Sequence, residues 1–194
     1  GLDQMAVSID FPRADLHDGF RGVPGAFEKT MQAVRWAHEA GLPLQVNTTV
    51  CGDTAPYLEE LAQFVQGLGI VFWEVFFLVP MGRGSVLTGL SASECERLFE
   101  VIYRVQKTEG FIVKVTEAPH YRRHVAQREM KDEGAPSARP EGLAAMPARL
   151  TRSEGPGHTV GLAPRGVNSG NGFLFVSHLG EIMPSGFLPI PVGN

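Results

Sequence analysis

The residues best suited to chemistry come in pairs two apart, at the ends of short apolar runs. Ser8 and Asp10 follow Met5-Ala6-Val7, and Asn47 and Thr49 punctuate the run Leu44 to Val50. Alternation places each pair on one face of an extended segment; Val7 and Ile9, or Val46, Thr48 and Val50, take the other. A third run ends in Leu78-Val79-Pro80-Met81-Gly82-Arg83-Gly84, a bend that exposes backbone groups. Hydroxyl, amide and carboxylate groups recurring at the same end of successive strands suit a polar ligand such as a nucleoside or an amino acid. The same residues equally suit capping of the neighbouring loops and helices.

Other polar residues carry two readings each. Glu74 lies among Phe72, Trp73, Val75, Phe76 and Phe77. A carboxylate there needs a partner, either a bound ligand or a structural hydrogen bond. His17, Asp18 and Arg21 could bind an anion or bond to one another within a loop. His120 and His124 have the four-residue spacing that lets two imidazoles share a metal on a helix, but no third ligand accompanies them. Cys95 falls on the apolar stripe of a helix and reads as an inert core thiol. Cys51 follows a strand end, where nothing in the sequence assigns it a role.

The elements that must position these groups alternate strand and helix. Strands are expected over Met5 to Phe11, Leu44 to Val50, Ile70 to Val79 and Phe111 to Thr116. Helices are expected from about Gly25 to Ala40, from Pro56 to about Leu68, from Ser91 to about Glu109 and from His120 to Lys131. Ser91 and Glu94 have capping-box spacing, and Gly41, Gly69 and Gly110 mark helix ends. Pro12 to Pro24 reads as a polar, glycine-rich loop. Four β-α units of this kind predict an α/β fold with parallel strands and outer helices, half of a barrel or a small open sheet. From Asp132 to Gly166 prolines break the pattern and a linker or long loop is expected. Phe173 to Met183 then reads as a β-hairpin turning near Gly180, the start of a further module.

Composition narrows the function classes. The chain has 194 residues, 43% of them hydrophobic and 20% charged, with a formal net charge of −4. That apolar content excludes a disordered chain, and the charge disfavours a general nucleic-acid binder. No apolar run reaches the about 18 residues of a membrane span. Two cysteines cannot build a disulfide framework or hold an iron–sulfur cluster by thiolates alone. With no secretory leader in the sequence, a cytoplasmic protein is expected. The opening Gly1-Leu2-Asp3 and the closing Val192-Gly193-Asn194 read as cuts, so a segment of a longer protein is expected.

The order of several motifs resembles the radical SAM superfamily. The phrase Ser8-Ile9-Asp10, then His17-Asp18-Gly19-Phe20-Arg21-Gly22 and Gly25-Ala26-Phe27-Glu28, resembles that superfamily's fourth barrel strand and the helix after it. Leu44 to Val50 is similar to its fifth strand, and Trp73 to Gly84 to its sixth strand and loop. Gly180-Glu181-Ile182-Met183-Pro184-Ser185 resembles the opening hairpin of the SPASM or twitch module found after the barrel in many such enzymes. The resemblance of the chain is strongest to the haem-modifying and peptide-modifying type.

The resemblance implies a partial (β/α) TIM-like barrel over residues 1–131, a linker over 132–166 and a SPASM-like hairpin over 167–194. It implies a parent enzyme, an oxidoreductase or lyase, that cleaves S-adenosylmethionine (SAM) reductively to a 5′-deoxyadenosyl radical and modifies a peptide, haem-type or cofactor precursor. By position, Ser8, Asp10, Asn47, Thr49, Val79 and Pro80 match residues that contact SAM; no catalytic residue is identified. A [4Fe-4S] cluster is implied, with its ligands expected upstream, because the family's CxxxCxxC loop is not in this sequence. In the hairpin, Ser185 stands where a SPASM cysteine often follows. This segment alone is therefore expected to be inactive and to hold no metal. The implied partners are SAM, a substrate and an electron donor such as flavodoxin or ferredoxin, with neither nucleic acid nor a membrane. The alternative is a non-catalytic α/β module that binds a small molecule at its strand ends.

Overall fold

The computed structural model describes residues 1–108, 110–131 and 174–194. The linker expected over residues 132–166 lies outside the described residues. The chain divides into two compact units, Gly1–Met146 and Pro147–Asn194.

The first unit is built on four parallel strands, β1 (Met5–Ser8), β2 (Leu44–Val50), β3 (Phe72–Phe77) and β4 (Ile112–Thr116), in the order β1-β2-β3-β4. Helices α1 (Ala14–Arg21) and α2 (Ala26–Glu39) connect β1 to β2. Helix α3 (Leu58–Gln66) connects β2 to β3, α4 (Ala92–Thr108) connects β3 to β4, and α5 (Tyr121–Lys131) follows β4. Each strand pairs with the next in sequence, and among the described residues the sheet is open rather than closed into a barrel. The expected α/β architecture is thus the observed one.

Side-chain alternation decides which face of the sheet is covered. Ile9, Val46, Val50, Trp73, Val75, Phe77 and Val113 join one core with Val34 and Ala37 of α2, Leu61 and Val65 of α3, and Phe99 and Ile102 of α4. All seven strand-side members share one parity within their strands, so the sheet packs this face against the helices. Burying side chains of this size contributes about 1.5–3 kcal/mol each. The other parity presents Ser8, Gln45, Asn47, Thr49, Glu74, Lys114 and Thr116, all half-buried, to the opposite face.

The loop expected over Pro12 to Pro24 is corrected: it contains α1. Its apolar stripe is only two residues long, Leu16 and Phe20, set in a polar, glycine-containing stretch that reads as a loop. The helix forms because one face, carrying His17 and Arg21 four residues apart, is anchored to the end of β1, as described below. Strand ends are shorter than expected: β1 stops at Ser8 and β3 runs only from Phe72 to Phe77. The turn Ala55–Tyr57 ahead of α3 is 3-10 rather than α, with Pro56 inside it. The Ser91–Glu94 capping box forms at the start of α4: the Ser91 N–H donates to Glu94 Oε2 at 2.8 Å, and the Glu94 N–H donates to Ser91 Oγ at 3.3 Å.

The second unit contributes the antiparallel pair β5 (Phe175–Val176) and β6 (Ile182–Met183), turning through Gly180 at φ 84°. Ser177 Oγ accepts the Leu179 and Glu181 N–H groups and holds the turn. The expected hairpin is therefore present, shorter than its sequence pattern.

Candidate functional site

The carboxyl end of β1 is held by a compact set of bonds. Asp10 is fully buried. Its Oδ1 accepts the backbone N–H of Thr49 at 2.8 Å, and its Oδ2 pairs with the Arg21 guanidinium at 2.5 Å. The Asp10 N–H donates to His17 Nδ1 at 3.2 Å. His17 is itself buried, and burial pushes its pKa below 6.5. Accepting through Nδ1 also fixes the neutral tautomer with the proton on Nε2.

Asp18 completes the arrangement. Gly25 immediately precedes α2; its φ of 74° suits glycine, and it has no side chain to cap the helix. Asp18 caps it from α1 instead, accepting the Gly25 N–H at 2.6 Å and the Phe27 N–H at 2.8 Å. These backbone hydrogen bonds hold its carboxyl below the usual range. Of the two sequence readings of His17, Asp18 and Arg21, the internally bonded one describes the geometry. The separation of four residues between His17 and Arg21 was the available signal.

A polar row crosses the opposite face of the sheet. The parallel register aligns Ser8 with Asn47, Asn47 with Glu74, and Glu74 with Lys114. Glu74 Oε1 accepts from Lys114 Nζ at 2.6 Å and from Thr116 Oγ1 at 2.9 Å. Gln45 Nε2 donates to Glu74 Oε2 at 3.0 Å and to Asn47 Oδ1 at 2.7 Å. Glu74 thus has protein partners for both oxygens, as a carboxylate with a side chain only 13% exposed requires. Sequence reasoning missed Lys114, Thr116 and Gln45, whose place beside Glu74 depends on strand order and register.

The remaining expected site residues are placed as follows. Ser8 lines a concavity of about 460 Å³ along β1, together with His17, Arg21, Lys29 and Thr30. Thr49 contributes its backbone N–H to Asp10, at the level of Phe76 and Thr116 on the next strands. Val79 is half-buried and Pro80 exposed, just past β3; the Val79 carbonyl accepts the Met81 N–H at 2.7 Å. Ser8, the last residue of β1, stands beside Asn47, which the structure places at the middle of β2 and not at its end, with Thr49 two residues on; buried Asp10 ties the end of β1 to β2.

Cys51 is fully buried and Cys95 half-buried, on different elements, and both are free thiols. Burial raises the pKa of Cys95. His124 is packed between Tyr121, Phe99 and Tyr103, with Glu96 at 3.4 Å and Glu100 at 3.3 Å from its two ring nitrogens. Among the described residues, no group of three or more His, Cys, Asp and Glu is arranged to hold a metal ion. Among the same residues, no helix is long and apolar enough to cross a membrane.

No family model matches the chain. The curated relatives carry the comparison. An AdoMet-dependent heme synthase of Oleidesulfovibrio alaskensis is 38% identical over the whole chain, which covers 46% of that protein. One from Methanosarcina barkeri is 36% identical, again over the whole chain and covering 51% of the relative. A pre-heme d1 synthase of Dinoroseobacter shibae is 32% identical over 92 residues, 47% of this chain and 22% of that protein. The chain spans about half the length of the AdoMet-dependent heme synthases it matches. Motif order, a parallel α/β sheet and similarity over the whole of this chain to proteins named AdoMet-dependent heme synthase all agree with the resemblance to the radical SAM superfamily.

Proposed function

We propose that this chain supplies the part of a radical SAM enzyme that holds the polar groups of SAM, in a protein that modifies a haem-type precursor. The observation that carries the reading is the row Ser8, Asn47, Glu74 and Lys114, one polar residue from each parallel strand at the same level. Ligands of parallel α/β folds sit beyond the carboxyl ends of the strands. The donor set fits SAM: hydroxyls of Ser8 and Thr49 and the amide of Asn47 suit ribose hydroxyls and the methionyl carboxylate. Backbone groups at Val79 and Pro80 suit the adenine. Asp10, fully buried, serves by tying β1 to β2 so that Ser8 and Thr49 keep their separation.

When bound and reduced, SAM supplies the radical chemistry; the chain's own residues orient it and exclude water. The [4Fe-4S] cluster that this chemistry needs does not fit the residues present. Only two cysteines occur, one of them fully buried, so three thiolate ligands cannot come from this chain. An electron donor such as flavodoxin or ferredoxin and a cytoplasmic setting complete the proposal. Similarity to proteins named AdoMet-dependent heme synthase supports the substrate class.

The test is SAM affinity in the full-length protein. Ser8→Ala and Asn47→Ala should each weaken binding by about 2- to 13-fold, the value of one hydrogen bond of about 0.5–1.5 kcal/mol, with melting temperature preserved. Ile9→Ala, which empties a core position, should cost about 2–5 kcal/mol of stability and leave the polar groups in place. If the two polar variants lose stability and keep full affinity, these residues are structural caps and the reading fails. Release of 5′-deoxyadenosine on reduction separates an enzyme from a module that only binds.

A further inference from the structure

We propose that Glu74 is a positioning residue that fixes which end of the Asn47 amide faces the ligand, so that Asn47 offers its NH2 group to an acceptor. This rests on the SAM-site reading above and deepens it. The acceptor is then a carboxylate or ribose oxygen of SAM, and never its ammonium group.

A carboxylate paired with a lysine only accepts. Glu74 Oε1 is occupied by Lys114 Nζ and Thr116 Oγ1, and Oε2 faces the Gln45 amide at 3.0 Å. Gln45 must therefore turn its NH2 group toward Glu74. The oxygen of Gln45 accepts from Gln4 Nε2 at 3.1 Å, which agrees with that orientation. The same Gln45 nitrogen lies 2.7 Å from the Asn47 side chain, so Asn47 must turn its oxygen toward Gln45. Asn47 Oδ1 is thereby committed. Its Nδ2 has no hydrogen-bond partner among the described residues, and Asn47 stands between Ser8 and Glu74 in the row. Gln45 Nε2 thus donates to both neighbours, and Glu74 Oε2 and Asn47 Oδ1 both accept.

An isosteric change reverses the relay. In Glu74→Gln, the amide keeps its oxygen toward Lys114 and Thr116 and turns NH2 toward Gln45. Gln45 then turns its oxygen inward, and Asn47 must donate to it. That leaves the Asn47 oxygen facing the ligand's acceptor, an unpaired and repulsive contact.

The experiment measures SAM dissociation constants by equilibrium dialysis, without reductant, for E74Q, N47A and the double variant of the full-length protein, with melting temperature in parallel. E74Q should weaken binding about tenfold, N47A by a similar factor, and the double variant no further than N47A alone, since Glu74 acts through Asn47. Gln45→Met, which leaves Glu74 and Asn47 in place but frees the Asn47 amide to turn either way, serves if E74Q does not fold, and should weaken binding by a smaller factor than E74Q. If N47A binds as tightly as wild type, the assignment of Asn47 to the SAM site falls and the inference with it. If N47A is weakened while E74Q and Q45M bind normally, or if the double variant loses the product of both factors, the site stands and the positioning role of Glu74 is refuted. A purely structural role of Glu74 predicts lower melting temperature in E74Q with unchanged affinity, which also refutes it.

Discussion

Asp10→Ala should destabilise the protein by about 2–4 kcal/mol, a figure that follows from the one hydrogen bond and the one ion pair its carboxylate makes. The Thr49 N–H, 2.8 Å from Oδ1, would be left without an acceptor in a place where Asp10 itself has no exposure to water. An unsatisfied buried donor costs about 1–3 kcal/mol. The Arg21 pair at 2.5 Å contributes less, because the Arg21 side chain is 36% exposed and can return to solvent; about 1 kcal/mol is a fair allowance. For a chain of this size each kcal/mol shifts the melting temperature by about 2–4 °C, so thermal unfolding followed by circular dichroism should show a drop of roughly 4–16 °C. Asp10→Asn keeps an oxygen for the Thr49 N–H and gives up the charge facing Arg21, so it should cost only about 1 kcal/mol. An Asp10→Ala variant that melts like wild type and yet loses SAM affinity would refute the reasoning, since Asp10 would then be a ligand contact and not a tie between strands. Equal losses in Asp10→Ala and Asp10→Asn would show that the ion pair, and not the backbone bond, dominates.

Two further outcomes are expected. Thr48→Val, nearly isosteric, should cost about 2–3 kcal/mol in urea unfolding: buried Thr48 Oγ1 donates to the Ile9 carbonyl at 2.7 Å and accepts from Trp73 Nε1 at 2.9 Å, and valine leaves both unpaired. A midpoint unchanged from wild type would show that both groups find other partners. For His17 the folded pKa lies below the unfolded value of 6.5, so the unfolded state binds the proton first. Stability should be flat above about pH 7 and fall as pH drops below 6.5, by at most about 1.4 kcal/mol per pH unit, until the folded state also protonates. His17→Asn, which can still accept the Asp10 N–H, should flatten that fall between pH 5 and pH 7; a wild-type slope in this variant would assign the effect to another group.

Much of this protein was legible in its sequence because the signals are local. Alternation in Leu44–Val50 announced a strand with one face covered, and Gly41 and Gly69, both at positive φ, marked the ends of two helices. Ser91 and Glu94 announced the start of α4 through side chains three residues apart. The parity of Ser8, Asn47 and Thr49 placed them opposite the core before any strand order was known. What the sequence could not decide was partnership across the sheet. Helix α1 has only Leu16 and Phe20 as an apolar stripe; it is held in place because His17 and Arg21 meet Asp10, and Asp10 reaches Thr49, which is 39 residues away. Glu74 had to have a partner, but Lys114, 40 residues on, becomes that partner only when β4 aligns beside β3 in one particular register. A buried polar group states its need locally, through its own desolvation cost, whereas the atom that satisfies it comes from whatever segment the tertiary structure brings alongside.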